Sequence, residues 1–341
     1  MKESIETILA IAHDYHKPLS EALIVGWVNQ FPENTRSVIL KELAKILRVF
    51  YFSKDRFVEL VQTGYKKVIT TLKKKCDNSI TVGDVEFIRG YSEGGASQDE
   101  ILDILDAHLM SEHGIHVDTC GGGYYFALFD DASYTGNKMV HSARRWIEAE
   151  GDKDKVLVVA PLIIHTKSLD YLSKQVRVAS VRTLKKALVI AVYQVQNTTT
   201  MGGVFQGYIP AQCDNESVKA FIECHLDLGY GQRLYRPDNF IREEKFFSSK
   251  EAREIVEQQL LSSGARLINR CSSVGRSTRP MGFETLDTLG FGTPLVFYRN
   301  IPNNAPIAFW WGVGQHQPLF DRVTYADRVD AAEETDDEWP W

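Results

Sequence analysis

The sequence lacks the signatures of several common protein classes. Its 341 residues include five cysteines, an odd number, and these lie far apart without a Cys-x-x-Cys pair. Neither a zinc site nor a disulfide framework is therefore indicated. No apolar run approaches membrane-spanning length, and the first residues lack the basic-then-apolar order of a signal peptide. We expect a cytoplasmic protein without membrane contacts.

Short catalytic motifs are also scarce. The nine histidines form no His-Glu-x-x-His pattern, which argues against a metalloprotease. Thr135-Gly-Asn-Lys138 lacks the leading glycine and the residue order of a Walker loop, and Gly290-Phe-Gly292 lacks the third glycine of a dinucleotide fingerprint. The formal net charge of −6 argues against bulk nonspecific binding to nucleic acid, although a local basic patch is compatible with it.

The composition is that of a globular protein, with 44% hydrophobic and 25% charged residues. Apolar stripes at helical spacing predict four helices before residue 78, and the pattern becomes mixed from Ile80 onward. We therefore predict an N-terminal helical domain (1–78), a second domain (79–330) and an acidic tail (331–341). The basic end of the fourth helix, Lys73 to Lys75, could contact nucleic-acid phosphates or simply form a solvated face.

One stretch organises the second domain. The apolar run from Tyr124 to Phe129 predicts a buried strand that stops at Asp130 and Asp131. A turn of small and polar residues, 132–136, follows, and helical spacing of apolar residues starts at Met139. In a parallel sheet, such a junction lies at the carboxyl ends of the strands, where open α/β folds bind ligands.

This junction suits a ribose 5-phosphate. Free N–H groups and the helix dipole favour a phosphate at the turn, together with the hydroxyls of Ser133 and Thr135 and the ammonium of Lys138. Two adjacent carboxylates are poor phosphate ligands but good acceptors for a vicinal diol. The alternative is that Asp130 and Asp131 only cap the turn and the helix.

The segment Phe129-Asp-Asp-Ala-Ser-Tyr-Thr-Gly136 resembles the phosphoribosyl pyrophosphate (PRPP) motif of type I phosphoribosyltransferases. The resemblance implies an α/β fold with a parallel sheet flanked by helices, here preceded by the helical domain. It implies catalytic roles for Asp130 and Asp131, which would hold the ribose and, through Mg²⁺ and water, steady an oxocarbenium-like centre. The ligand would be bound by the turn residues Ser133, Tyr134, Thr135, Gly136, Asn137 and Lys138. Lys138 stands where those enzymes usually carry a second threonine, so its phosphate contact would be ionic.

Other residues are candidates for substrate or pyrophosphate contacts. Ser97 follows a glycine-rich loop and either helps to hold an anion or caps the next helix, with Glu100 completing a capping box. Arg276 lies in an arginine-rich segment that suits either a phosphate-rich ligand or an exposed loop. Asn303 and Asn304 lie in a turn, where asparagine is also common for conformational reasons.

Four stretches together resemble a narrower group, the PRTase-CE family of bacterial conflict loci. They are Trp27–Phe31, Asp130-Asp131, the helix from Phe246 to Ile268, and Leu289–Gly292 with Asn300–Pro306. The resemblance implies an antiphage effector, in some cases retron-associated, that binds PRPP or a nucleotide and transfers phosphoribosyl or cleaves an N-glycosidic bond. Its partners would be proteins of the same locus, a reverse transcriptase and a winged-helix protein, and their RNA or DNA. A non-catalytic scaffold and a base-salvage phosphoribosyltransferase are the alternatives.

Overall fold

A computed structural model describes residues 1–90, 96–197, 204–226, 234–237, 240–241, 243–271 and 274–323. The predicted acidic tail lies outside these residues. The helices are α1 (Lys2–Ile11), α2 (Glu21–Val28), α3 (Glu33–Phe50), α4 (Lys54–Lys75), α5 (Ala96–His113), α6 (Asn137–Glu150), α7 (Thr166–Ser180), α8 (Glu216–His225) and α9 (Lys250–Asn269). The strands are β1 (Tyr51–Phe52), β2 (Val85–Phe87), β3 (Tyr125–Ser133), β4 (Val156–His165), β5 (Lys186–Val189), β6 (Tyr193–Val195) and β7 (Val296–Phe297).

The four N-terminal helices lie where the apolar stripes place them. Ser20 caps α2 by accepting a hydrogen bond from the N–H of Leu23, and α3 buries Ile39, Leu43 and Leu47 along one side. The fold class is confirmed, because an N-terminal helical region precedes a parallel sheet flanked by helices.

Contacts between residues divide the chain into two compact units. The central unit is Asp55–Thr198, and the discontinuous unit joins Met1–Lys54 to Thr199–Trp341. This division differs from the predicted boundary at residues 78 and 79. The reason is that α4 packs on the sheet of the central unit, where a Cβ on Gly64 would lie 2.6 Å from Leu162 Cδ2 and 3.3 Å from Phe129 Cε1.

The central unit contains a parallel sheet in the order β2-β3-β4-β5, in which β6 also pairs with β4. Neighbouring strands thus follow the order of the chain, and α5, α6 and α7 connect them. Phe126 and Leu128 of β3 pack with Trp146 of α6 and Leu172 of α7 in one apolar core. The core fixes the carboxyl ends of β3 and β4 beside each other, with Ser133 opposite Ile164 in the register.

The discontinuous unit brings distant parts of the chain together. β1 pairs in parallel with β7, with Tyr51 opposite Val296. Helix α9 begins after Ser249, whose side chain accepts a hydrogen bond from the N–H of Ala252, and it continues through Gly264 to Asn269. A Cβ on Gly264 would lie 2.6 Å from the carbonyl oxygen of Pro280, so this glycine admits a crossing backbone segment.

Membrane-spanning helices are absent from the part of the chain that the structure describes, where no helix is both long and apolar enough to cross a bilayer.

Candidate functional site

The predicted junction of strand, turn and helix is present in the central unit. The strand is longer than predicted, because β3 includes both acids and pairs with β4 as far as Ser133 and Ile164. The turn therefore covers only residues 134–136, and α6 begins at Asn137. Gly136 has a φ of 86°, and a Cβ there would lie 3.1 Å from Tyr171 Cδ1. The turn therefore requires glycine for both its conformation and its close packing.

Asp130 is a buried carboxylate with several partners. Its Oδ1 and Oδ2 lie 3.1 and 3.0 Å from the Nζ of Lys138. Oδ1 also accepts hydrogen bonds from Ser97 Oγ at 3.2 Å and from the N–H of Asp131 at 3.0 Å. The fold thus joins the start of α5, the end of β3 and the first turn of α6 through one carboxylate.

Lys138 lies close to both acids. Burial lowers the pKa of its ammonium, but the charges of Asp130 and Asp131 more than offset that effect and leave the pKa above its usual value. Its side chain is still 45% exposed. The sequence predicted an ionic contact with a phosphate, and the structure places Nζ on Asp130.

Asp131 differs from its neighbour. It is half-buried, and its Oδ1 accepts a hydrogen bond from the N–H of Ala132 at 2.6 Å. Burial, followed by the charge of Asp130, raises the pKa of Asp131 to about 7, although Lys138 acts in the opposite direction. A carboxyl group that titrates near neutrality can either accept a hydrogen bond from a ligand hydroxyl or donate one.

The start of α6 has the features of an anion site. Its N-cap residue is Gly136, which has no side chain that could cap the helix, so the helix dipole and the N–H groups of the first turn face the turn before it. Ser133 is buried, and its Oγ finds no hydrogen-bond partner within the described ranges. Thr135 Oγ1 accepts a long hydrogen bond of 3.5 Å from the N–H of Asn137. A phosphate here would meet the hydroxyl of Ser133 and the N–H groups of the first helical turn.

Sequence reasoning missed some polar residues at this edge of the sheet. Gln98 is buried, and its Nε2 donates to the carbonyl oxygen of Phe129 at 3.3 Å, while its Oε1 has no hydrogen-bond partner in the described part of the chain. His165 ends β4 and lies 5.5 Å from the ring of Tyr134, measured between ring centroids. Burial lowers the pKa of His165 to about 3, so its imidazole is neutral. The only sequence signals were a glutamine next to Ser97 and a histidine at a strand end.

The residues fit Mg²⁺ poorly in this arrangement. Lys138 occupies both oxygens of Asp130, and Oδ1 of that carboxylate already accepts two further hydrogen bonds. Mg²⁺ requires short, near-octahedral oxygen contacts, which these positions do not offer while Lys138 holds them. Groups of three or more metal-binding side chains are absent from the residues that the structure describes.

The remaining candidates belong to the discontinuous unit. Arg276 is exposed. Asn304 is buried, and its Nδ2 donates a hydrogen bond to the carbonyl oxygen of Phe283 at 2.8 Å. The N–H of Phe283 in turn donates to the carbonyl oxygen of Asn303. The two asparagines thus stabilise a turn, and contacts of these three residues with a ligand stay a prediction.

Comparison with known proteins gives one match. Curated proteins and solved structures yielded no significant similarity to this chain. The sequence model of the PRTase-CE family matches residues 24–322, which cover most of the chain and include the whole strand–turn–helix junction. The chain therefore belongs to the PRTase-CE family and is a phosphoribosyltransferase-like protein.

Proposed function

We propose that the junction of β3 and α6 binds a ligand that contains ribose 5-phosphate, either PRPP or a nucleotide. The observation that carries this proposal is the half-buried carboxyl of Asp131, which lies next to a turn that ends in the left-handed Gly136 at the start of α6. The buried Ser133 hydroxyl, which lacks a partner in the described ranges, supports the same ligand.

Each part of the ligand has a matching group. The 5-phosphate lies at the start of α6, where the N–H groups of the first turn and the hydroxyls of Ser133 and Thr135 donate hydrogen bonds. The ribose hydroxyls lie at Asp131, whose carboxylate accepts their hydrogen bonds. A carboxylate at the sugar also stabilises positive charge on the ring during phosphoribosyl transfer or N-glycosidic cleavage.

We place this activity in bacterial antiphage defence, as the effector of a retron-type system in the cytoplasm. Support comes from the resemblance to proteins of conflict loci. A reverse transcriptase, a winged-helix protein and their RNA or DNA would be its partners. Co-expression of the locus followed by purification at low salt tests the assembly, and elution of this protein alone would contradict it.

A non-catalytic scaffold is the second candidate. It is favoured by the pairing of Asp130 with Lys138, which uses one of the two strand-end acids within the fold. The exposed lysines 73–75 at the end of α4 offer a contact for nucleic-acid phosphates. Incubation with PRPP or nucleotides, followed by assays for pyrophosphate and free base, distinguishes an enzyme from a scaffold.

Calorimetry on Asp131→Asn tests the site itself. Loss of a charge-assisted hydrogen bond worth ~1.5–3 kcal/mol should weaken binding of ribose 5-phosphate by roughly ten- to a hundredfold, at an unchanged melting temperature. Asp118→Asn is the matched control, because Asp118 is an exposed carboxylate of the same unit that pairs with Arg89. Equal affinities for wild type and Asp131→Asn would refute the proposal.

A further inference from the structure

We propose that Lys138 is a tethered cation that replaces Mg²⁺ on Asp130, so that the site binds a ribose 5-phosphate ligand without a divalent metal. This inference rests on the proposed function. It adds that the positive charge needed for ligand binding comes from the Lys138 ammonium and not from a metal ion. It gives Lys138 a different role from the phosphate contact that the sequence predicts.

The hydrogen bonds around Asp130 leave little room for a metal ion. Lys138 Nζ lies at 3.1 and 3.0 Å from the two carboxylate oxygens, and Ser97 and the N–H of Asp131 complete the partners of Oδ1. A metal ion at this carboxylate would have to displace the ammonium and then satisfy a strict octahedral geometry. The ammonium already supplies the positive charge that the buried carboxylate needs.

The position of Lys138 in the chain keeps its ammonium at the site and keeps it charged. It lies in the first turn of α6, two residues after Gly136, whose left-handed conformation determines where the helix starts. The carboxylates raise the pKa of its ammonium, so the charge persists at neutral pH. Because the lysine is part of the chain, it needs no free ion and loses no affinity when metal is removed.

The ammonium also has an N–H donor left for a hydrogen bond to a ligand. An ammonium has three N–H donors, and two suffice for the oxygens of Asp130. The side chain is 45% exposed, whereas that of Asp130 is 5% exposed, so the remaining donor is on the solvent side of the pair. From there it can bind a ribose or phosphate oxygen, as a metal ion would.

Calorimetry with ribose 5-phosphate, in EDTA and in excess Mg²⁺, tests the inference. Wild type should bind with the same affinity within about twofold in both buffers. Lys138→Ala should bind about ten- to a hundredfold more weakly in EDTA and should regain affinity when Mg²⁺ is added, since the ion can then reach Asp130. Lys138→Thr, which restores the residue usual in type I enzymes, should likewise depend on Mg²⁺.

Two controls keep the result interpretable. Lys174→Ala removes an exposed lysine of α7 and should match wild type in both buffers. Lys138→Arg keeps the charge and should still bind in EDTA. Wild-type binding that requires Mg²⁺, or equal affinities of wild type and Lys138→Ala in EDTA, would overturn the inference and leave the proposed function standing. Absence of wild-type binding in both buffers would overturn both.

Discussion

Two clusters of buried charge, one in each unit, use their hydrogen bonds differently. In the discontinuous unit, all five N–H donors of Arg253 have acceptors: both carboxylate oxygens of Glu244, one oxygen of Glu257 and the carbonyls of Phe205 and Gly207. In the central unit, Lys138 pairs with one carboxylate and stays 45% exposed. A saturated, buried cluster stabilises a fold, whereas a half-open one can still accept a ligand.

The largest effect is expected from removing the centre of the saturated cluster. Arg253→Leu leaves the buried Glu244 without this guanidinium and leaves Glu257 with Arg236 as its remaining arginine partner, and the loss of a buried partner typically costs about 3–5 kcal/mol in the free energy of unfolding. Urea denaturation measures it. Lys219→Leu is the control, because Lys219 pairs with the exposed Asp214 and Glu216 and its loss should leave the denaturation midpoint unchanged. Equal midpoints for both variants would remove the distinction between the clusters.

A change of pH should affect the two regions in opposite directions. His165 is buried and burial lowers its pKa to about 3, so only the unfolded chain binds a proton there between pH 7 and 5, and about 2 kcal/mol of stability is lost. Burial raises the pKa of Glu257 to about 7, so the folded chain binds the proton and stability rises over the same range.

Thermal denaturation of His165→Phe and Glu257→Gln at pH 7 and pH 5 separates these contributions. When the pH is lowered from 7 to 5, the melting temperature of His165→Phe should fall less, or rise more, than that of wild type. The melting temperature of Glu257→Gln should fall more, or rise less, than that of wild type. The same change in both variants as in wild type would contradict this assignment.

The smallest effect on stability is expected at Ser133. Its Oγ is buried without a hydrogen-bond partner among the described residues, so Ser133→Ala should change the free energy of unfolding by less than about 0.5 kcal/mol. It should nevertheless weaken binding of ribose 5-phosphate several-fold. Ser168→Ala is the matched comparison, because Ser168 Oγ lies 2.8 Å from the carbonyl oxygen of His165 and its loss should cost about 1 kcal/mol. A larger cost at Ser133 than at Ser168 would show that its hydroxyl is structural.

Local patterns predicted the fold where packing agrees with them. Apolar stripes located α1 to α4, and the run before Asp130 located β3. The segment 187–195 is a short apolar run, and such a run has no distinctive period that separates a helix from a strand. Pairing with β4 makes it β5 and β6. The roles of Gly64 and Gly264 depend on residues far away in the sequence, so no local pattern contained them.

The sequence also predicted only those parts of the candidate site that are contiguous in the chain. The acids, the turn and Gly136 are contiguous in sequence, so their order alone predicted a strand, a turn and a helix. The hydrogen bond from Ser97 to Asp130 joins residues 33 positions apart, and only the fold creates it. The length of the Lys138 side chain allowed both a phosphate and Asp130 as partners, and the choice depends on side-chain orientation.

The discontinuity of one unit determines the order in which the chain can mature on the ribosome. The central unit is complete once residue 198 has emerged, and its neighbouring strands follow one another in synthesis. Helix α3 and β1 are made before it, but their partners α9 and β7 are made long afterwards. The apolar side of α3 must therefore wait, uncovered by those partners, through the synthesis of the whole central unit. Nascent chains of this protein should need chaperone protection at their N-terminal helices, although the central unit folds early.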